Sequence, residues 1–120
     1  MVEHVREHSL IGQPDHGRIR PLKREEIYRV LDRMTEGLPK AGRILLVPPD
    51  ITRLYSYAGV ITSYLYKKLS VDALVRILPA TGTHRPMTPG ERCRFFGRDI
   101  PDHAFLIHDW CRDTVDIGTV

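Results

Sequence analysis

The run Ala73-Leu74-Val75-Arg76-Ile77-Leu78, followed by Pro79-Ala80-Thr81-Gly82-Thr83-His84-Arg85-Pro86-Met87-Thr88, decides the fold. The first part is short, aliphatic and interrupted only by Arg76, which is how a buried parallel strand reads. The second part ends in a marked helix start. Thr88 suits the N-cap, Pro89 the first helical position, and Glu91 the third position of a capping box. His84 and Arg85 therefore belong to a loop at the carboxyl end of a strand. In open α/β sheets, ligands bind along that edge.

Working outward, the same grammar repeats. Arg43 to Val47 contains Ile44-Leu45-Leu46-Val47 without alternation, which predicts a strand buried on both faces. Pro48-Pro49 ends it, since neither residue can donate to a ladder. Asp50-Ile51-Thr52-Arg53 follows, again at a strand's carboxyl end. Two helices are predicted around this strand. Leu22 to Glu36 carries an apolar stripe of Ile27, Val30, Leu31 and Met34, extending to Leu38, and stops at Gly37. Roughly Ser56 to Leu69 carries Tyr57, Val60, Ile61, Tyr64, Leu65 and Leu69, with Lys67 and Lys68 complementing its carboxyl-terminal dipole. After the Pro89–Phe96 helix, Ala104 to Ile107 is expected as a third strand leading into His108-Asp109-Trp110.

Helices alternating with strands on short connections argue for an α/β fold: a Rossmann-like, three-layer unit with a parallel sheet. The ending Val115-Asp116-Ile117-Gly118 reads as a strand about to begin, so the unit is expected to be incomplete at its carboxyl terminus. Residues 1–21 are expected as an arm or loop with at most a short strand at Ser9 to Ile11, and residues 22–120 as one partial domain. His4, His8 and His16 are loosely spaced and read as solvated side chains.

Composition narrows the function. The chain has 120 residues, 42% hydrophobic and 28% charged, which suits one modest globular domain. Its net charge of +3 comes from scattered Lys and Arg, so nucleic-acid binding is not expected. No stretch approaches the ~18 apolar residues of a membrane span, and Met1 to Leu10 lacks the apolar core of a signal peptide. Cys93 and Cys111 form no CxxC, which suits a reduced, cytoplasmic setting.

Three expected strands end in polar motifs: Asp50 with Arg53, His84 with Arg85, and His108 with Asp109. In a parallel sheet these converge on one edge. An imidazole can take and return a proton near neutral pH, and an arginine fork matches a carboxylate or phosphate. Each residue also has a plainer reading. His84 could cap the following helix, Asp50 could close an Asx turn, and Arg53 could be surface. His108 reads as a structural histidine, Trp110 as core or rim, and Gly82 as a tight turn. Gly82 belongs to no GxGxxG or Walker pattern, so common nucleotide sites gain no support.

Gly82-Thr83-His84-Arg85-Pro86-Met87-Thr88, preceded by Asp50-Ile51-Thr52-Arg53, resembles the amino-terminal domain of the lactate racemase family, from about Arg43 to the last residue. The resemblance implies an enzyme that interconverts stereoisomers of a 2-hydroxy acid by hydride transfer to and from a nickel-pincer nucleotide. It implies His84 as a catalytic acid–base, with Asp50, Arg53 and Arg85 in substrate binding: Arg53 on the substrate carboxylate, Asp50 orienting His84 or Arg53. The family's common Asp-x-Thr-Arg-Pro-x-Pro is here Asp50-Ile51-Thr52-Arg53-Leu54-Tyr55-Ser56, which resembles a subgroup and leaves open which 2-hydroxy acid, lactate or another, is the substrate. The family's second catalytic histidine, nickel-binding histidine and cofactor-bearing lysine have no counterpart in these residues. On this reading the chain alone is inactive, holds no cofactor covalently and lacks metal ligands, and a carboxyl-terminal domain is its missing partner. The alternatives are a non-catalytic module that binds a carboxylate or phosphate, and a subunit of a split enzyme.

Overall fold

The computed structural model describes residues 20–119; the expected strand at Ser9 to Ile11 and the histidines at positions 4, 8 and 16 lie outside them. The chain divides into two compact units after Leu38. In the first, helix α1 spans Arg24–Glu36. Its amino-terminal turn is held by Glu26, which accepts from the Lys23 N–H at 2.7 Å and pairs with Arg20 at 2.6 Å. Those two hydrogen bonds bring its carboxyl down to about 2. Leu31 on the predicted apolar stripe is buried, whereas Met34 and Leu38 are exposed.

In the second unit, β1 (Arg43–Leu46) pairs in parallel with β2 (Leu74–Ile77), with Arg43 opposite Leu74 and Leu46 opposite Ile77. Helix α2 (Ala58–Leu69) joins them, and α3 (Pro89–Phe96) follows β2. This is an α/β fold with a two-stranded parallel sheet among the described residues. Pairing continues past the prolines. A parallel bridge joins Pro49 to Ala80, and the Ala80 N–H donates to the Pro48 carbonyl at 2.7 Å. The diproline removes donors from its own strand but keeps its acceptors.

The core lies on one side of this sheet. Ile77 is fully buried among Met87, Phe95, Phe96, Ile100 and Ala104, with Leu46, Ile51 and Phe105 packed against them. Phe96 meets Phe95 edge-on at 4.7 Å and Phe105 at 5.2 Å.

Three expectations need correction. β1 is not covered on both faces: Leu45 is 51% and Val47 58% exposed, while Ile44 and Leu46 turn inward. An unbroken aliphatic run permits burial on both faces, but only a second layer of structure supplies it. The segment Ala104 to Ile107 does not form a full strand. A 3-10 turn occupies Asp102–Ala104, and among the described residues one parallel bridge, Ile77 with Phe105, pairs the segment with the sheet. The Leu106 N–H donates to the Ile77 carbonyl at 2.7 Å, after which Leu106 and Ile107 run exposed.

The third concerns which face of α2 is buried; the helix itself begins at Ala58, close to its expected start. Tyr57 sits in the left-handed region, at φ 64°, and sets the helix's entry angle. The buried residues of α2 are Gly59 and Thr62 rather than its aliphatic stripe. A Cβ on Gly59 would lie 1.8 Å from the Phe95 carbonyl oxygen. The α2–α3 crossing is close enough to demand glycine.

Candidate active site

Both motifs at the carboxyl edge of the sheet are held by local chemistry. Asp50 caps the 3-10 turn Ile51–Arg53: its Oδ1 accepts from the Thr52 backbone N–H at 3.1 Å and from the Thr52 hydroxyl. Across the sheet, Gly82 adopts φ +57° in a turn closed by the His84 N–H on the Thr81 carbonyl at 2.9 Å. A side chain is strained at that φ, so glycine suits the turn. The far end of the loop is fixed by Thr88, whose hydroxyl accepts from the Glu91 N–H while Glu91 accepts from the Thr88 N–H, both at 3.2 Å. This is the capping box predicted for α3.

These two turns meet. His84 Nδ1 lies 2.8 Å from Asp50 Oδ2, across 34 residues of sequence. Asp50 is 4% exposed, whereas the His84 side chain is 58% exposed. The electrostatics fix the proton. Burial of Asp50 pushes its carboxyl up, but the hydrogen bonds from the Thr52 hydroxyl, the His84 ring and the Thr52 N–H outweigh it and hold the carboxyl below its usual value. Asp50 is thus an anion at neutral pH and can only accept. Nδ1 must therefore carry hydrogen, and Nε2 of neutral His84 presents its lone pair on an exposed ring.

The two arginines differ. Arg53 is exposed at the end of the 3-10 turn and makes no ion pair among the described residues. Arg85 is engaged: its Nη1 donates to Glu91 Oε1 at 2.6 Å and to the Pro86 carbonyl at 3.3 Å. Arg85 ties the loop to the helix it precedes. His108 and Asp109 do not join the His84–Asp50 pair. His108 Nδ1 lies 3.7 Å from Asp113 Oδ2, which also accepts from the Asp109 N–H at 2.7 Å. Asp109 and Asp113 close a local turn, while His108 lines a small recess with Pro79 and Thr81.

Two partners were not read from sequence. Thr52 is the main donor to Asp50, and Asp-x-Thr at the start of a turn is the signal that could have shown it. Glu91 was read as a capping residue only; its second bond, to Arg85, crosses a loop and follows no helical spacing. Among the described residues no three His, Cys, Asp or Glu side chains come together as a metal ligand set, and no helix is long and apolar enough to cross a membrane.

A carboxylate-oriented imidazole and an exposed guanidinium lie at the carboxyl edge of a two-stranded parallel sheet, and the class they define is an α/β domain. Residues 7–120 match the lactate racemase N-terminal domain family, and the chain belongs to it. A crystal structure of a protein from Thermotoga maritima is similar, at 30% identity over 73% of this chain with a TM-score of 0.59. This chain spans 21% of that protein's length. A comparison with curated proteins found no match.

Proposed function

We propose that this chain is the amino-terminal part of a cytoplasmic enzyme that interconverts the stereoisomers of a 2-hydroxy acid. The observation that carries this reading is the 2.8 Å hydrogen bond between His84 and buried Asp50, which joins the two motifs of the family in one proton-transfer pair. His84 Nε2 accepts the substrate's hydroxyl proton. Asp50 keeps the ring in the productive tautomer and stabilises the imidazolium that forms. Arg53 offers its fork to the substrate carboxylate, while Arg85 acts on the substrate side only if it leaves Glu91. These residues account for the proton side of the interconversion, removal and return of the hydroxyl proton; the α-hydrogen needs an acceptor that they do not supply.

In the family, a nickel-pincer nucleotide supplies the hydride acceptor. The described residues do not fit that group as a holder: they bring no nickel ligand set together. Their share of the chemistry is the proton, the carboxylate and the tautomer. A Rossmann-like parallel sheet, extended by strands beyond the two described, would complete the unit in the full-length family.

The test is interconversion of single enantiomers of a panel of 2-hydroxy acids, followed by chiral chromatography, using the longest form of the protein found in its source. Racemisation by the unaltered protein and its loss in His84→Ala is the expected result. Saturable binding of the acids with no racemisation would sink the enzyme reading and leave a carboxylate-binding module.

A further inference from the structure

The two oxygens of the Asp50 carboxylate have separate duties. Oδ2 faces His84 Nδ1 at 2.8 Å, whereas Oδ1 takes the N–H and the hydroxyl of one residue, Thr52. What keeps these duties apart is the torsion about the Asp50 Cβ–Cγ bond. That torsion is soft in aspartate, because terminal sp³–sp² rotations have broad minima. One hydrogen bond on Oδ1 leaves the group free to swing, and a second from another direction fixes its plane.

Thr52 supplies its two donors in different ways. The N–H belongs to the 3-10 turn Ile51–Arg53, which Asp50 caps, and any residue but proline would bring it. The hydroxyl is the contribution of threonine. Asp50 is buried and, as an anion, can only accept, so the hydroxyl proton is committed to Oδ1. Thr52 itself is exposed, so a place in the core does not account for its side chain.

We propose that Thr52 is a positioning residue: its hydroxyl fixes the plane of the Asp50 carboxylate and thereby selects the His84 tautomer with hydrogen on Nδ1 and a lone pair on Nε2. A free imidazole side chain carries its hydrogen mainly on Nε2, so the tautomer needed here has to be imposed by the bond that Nδ1 makes. This role deepens the proposed function. Its bearing on turnover rests on that reading, whereas the tautomer does not.

The full chain, without substrate, is labelled with nitrogen-15, and the two ring nitrogens of His84 are read by NMR at a pH where the ring is neutral. Their shifts report which nitrogen carries hydrogen, and in the unaltered chain it should be Nδ1. Thr52→Val keeps the N–H and the branched shape and loses only the hydroxyl, so the ring should move towards the Nε2–H form. Thr52→Ala repeats that loss with a smaller side chain, and amide dispersion confirms that each variant is folded. Thr52→Ser returns the hydroxyl and should return the Nδ1–H form. In the racemisation assay Thr52→Val should lower kcat about tenfold at nearly constant KM, the loss of one hydrogen bond to a charged group, and Thr52→Ser should recover it. A ring that keeps its hydrogen on Nδ1 in both Thr52→Val and Thr52→Ala would overturn the proposal, because the Thr52 N–H would then suffice. A tautomer that moves as expected while no variant racemises any acid would uphold it and sink the enzyme reading, so the two failures are separate results.

Discussion

His84 and His108 both follow segments that run along the sheet, and both have an aspartate near Nδ1. The resemblance ends there. Asp50 reaches His84 across 34 residues at 2.8 Å, and it is itself buried and anchored by Thr52. Asp113 stands 3.7 Å from His108, beyond hydrogen-bond reach, while closing a local turn on Asp109. A local pair reports the shape of its own turn. A long-range pair with one buried, multiply bonded member has the whole sheet behind it, because two strands must be in register before the groups meet.

That contrast can be broken in several ways. The largest effect should come from the histidines themselves. His84→Ala is expected to lower the racemisation rate by ~10²–10⁴-fold, whereas His108→Ala should leave it within about threefold, since His108 moves no proton in the proposed reaction. Equal losses would end the distinction. Next are the carboxylates. Asp50→Asn keeps the shape but lets the ring adopt the other tautomer, so racemisation should fall by about a hundredfold with little change in KM. Asp113→Asn should show no comparable loss.

Stability should separate them too. Thr88→Ala removes the cap that anchors the His84 loop and should cost about 1 kcal/mol in urea unfolding. The smallest effect concerns acid. Asp50 has a folded-state pKa below its unfolded value of about 3.9. Its contribution is therefore fully present above that pH and is lost as pH falls towards the folded value. Asp50→Asn should flatten the acid limb of the stability curve.

Much of the fold was legible in the residues. Helix α3 matched its expected span of Pro89–Phe96 because Thr88, Pro89 and Glu91 act locally. The two paired strands were legible from aliphatic runs bounded by proline. What failed depended on distant structure. The left-handed Tyr57 at the entry to α2 had no glycine to announce it, and the Gly59 contact with Phe95 depends on how two helices cross. Ala104 to Ile107 has strand composition, yet among the described residues it makes a single bridge to the sheet.

The site divides similarly. Asp50 and His84 could be brought together by topology alone, since both follow parallel strands. That Arg85 would be taken up by Glu91 while Arg53 stayed open could not be read from spacing, because both outcomes put an arginine in a loop.

The Pro49–Ala80 bridge gives chain length a meaning in this domain. Side chains alternate sides along an extended segment. One residue inserted between Leu46 and Asp50 would swing the carboxylate to the opposite side of its strand and lose His84. One residue inserted in the turn near Val71, between α2 and β2, leaves both strand ends where they are. Insertions and deletions should therefore accumulate in the second place among relatives that keep the reaction, and be missing from the first.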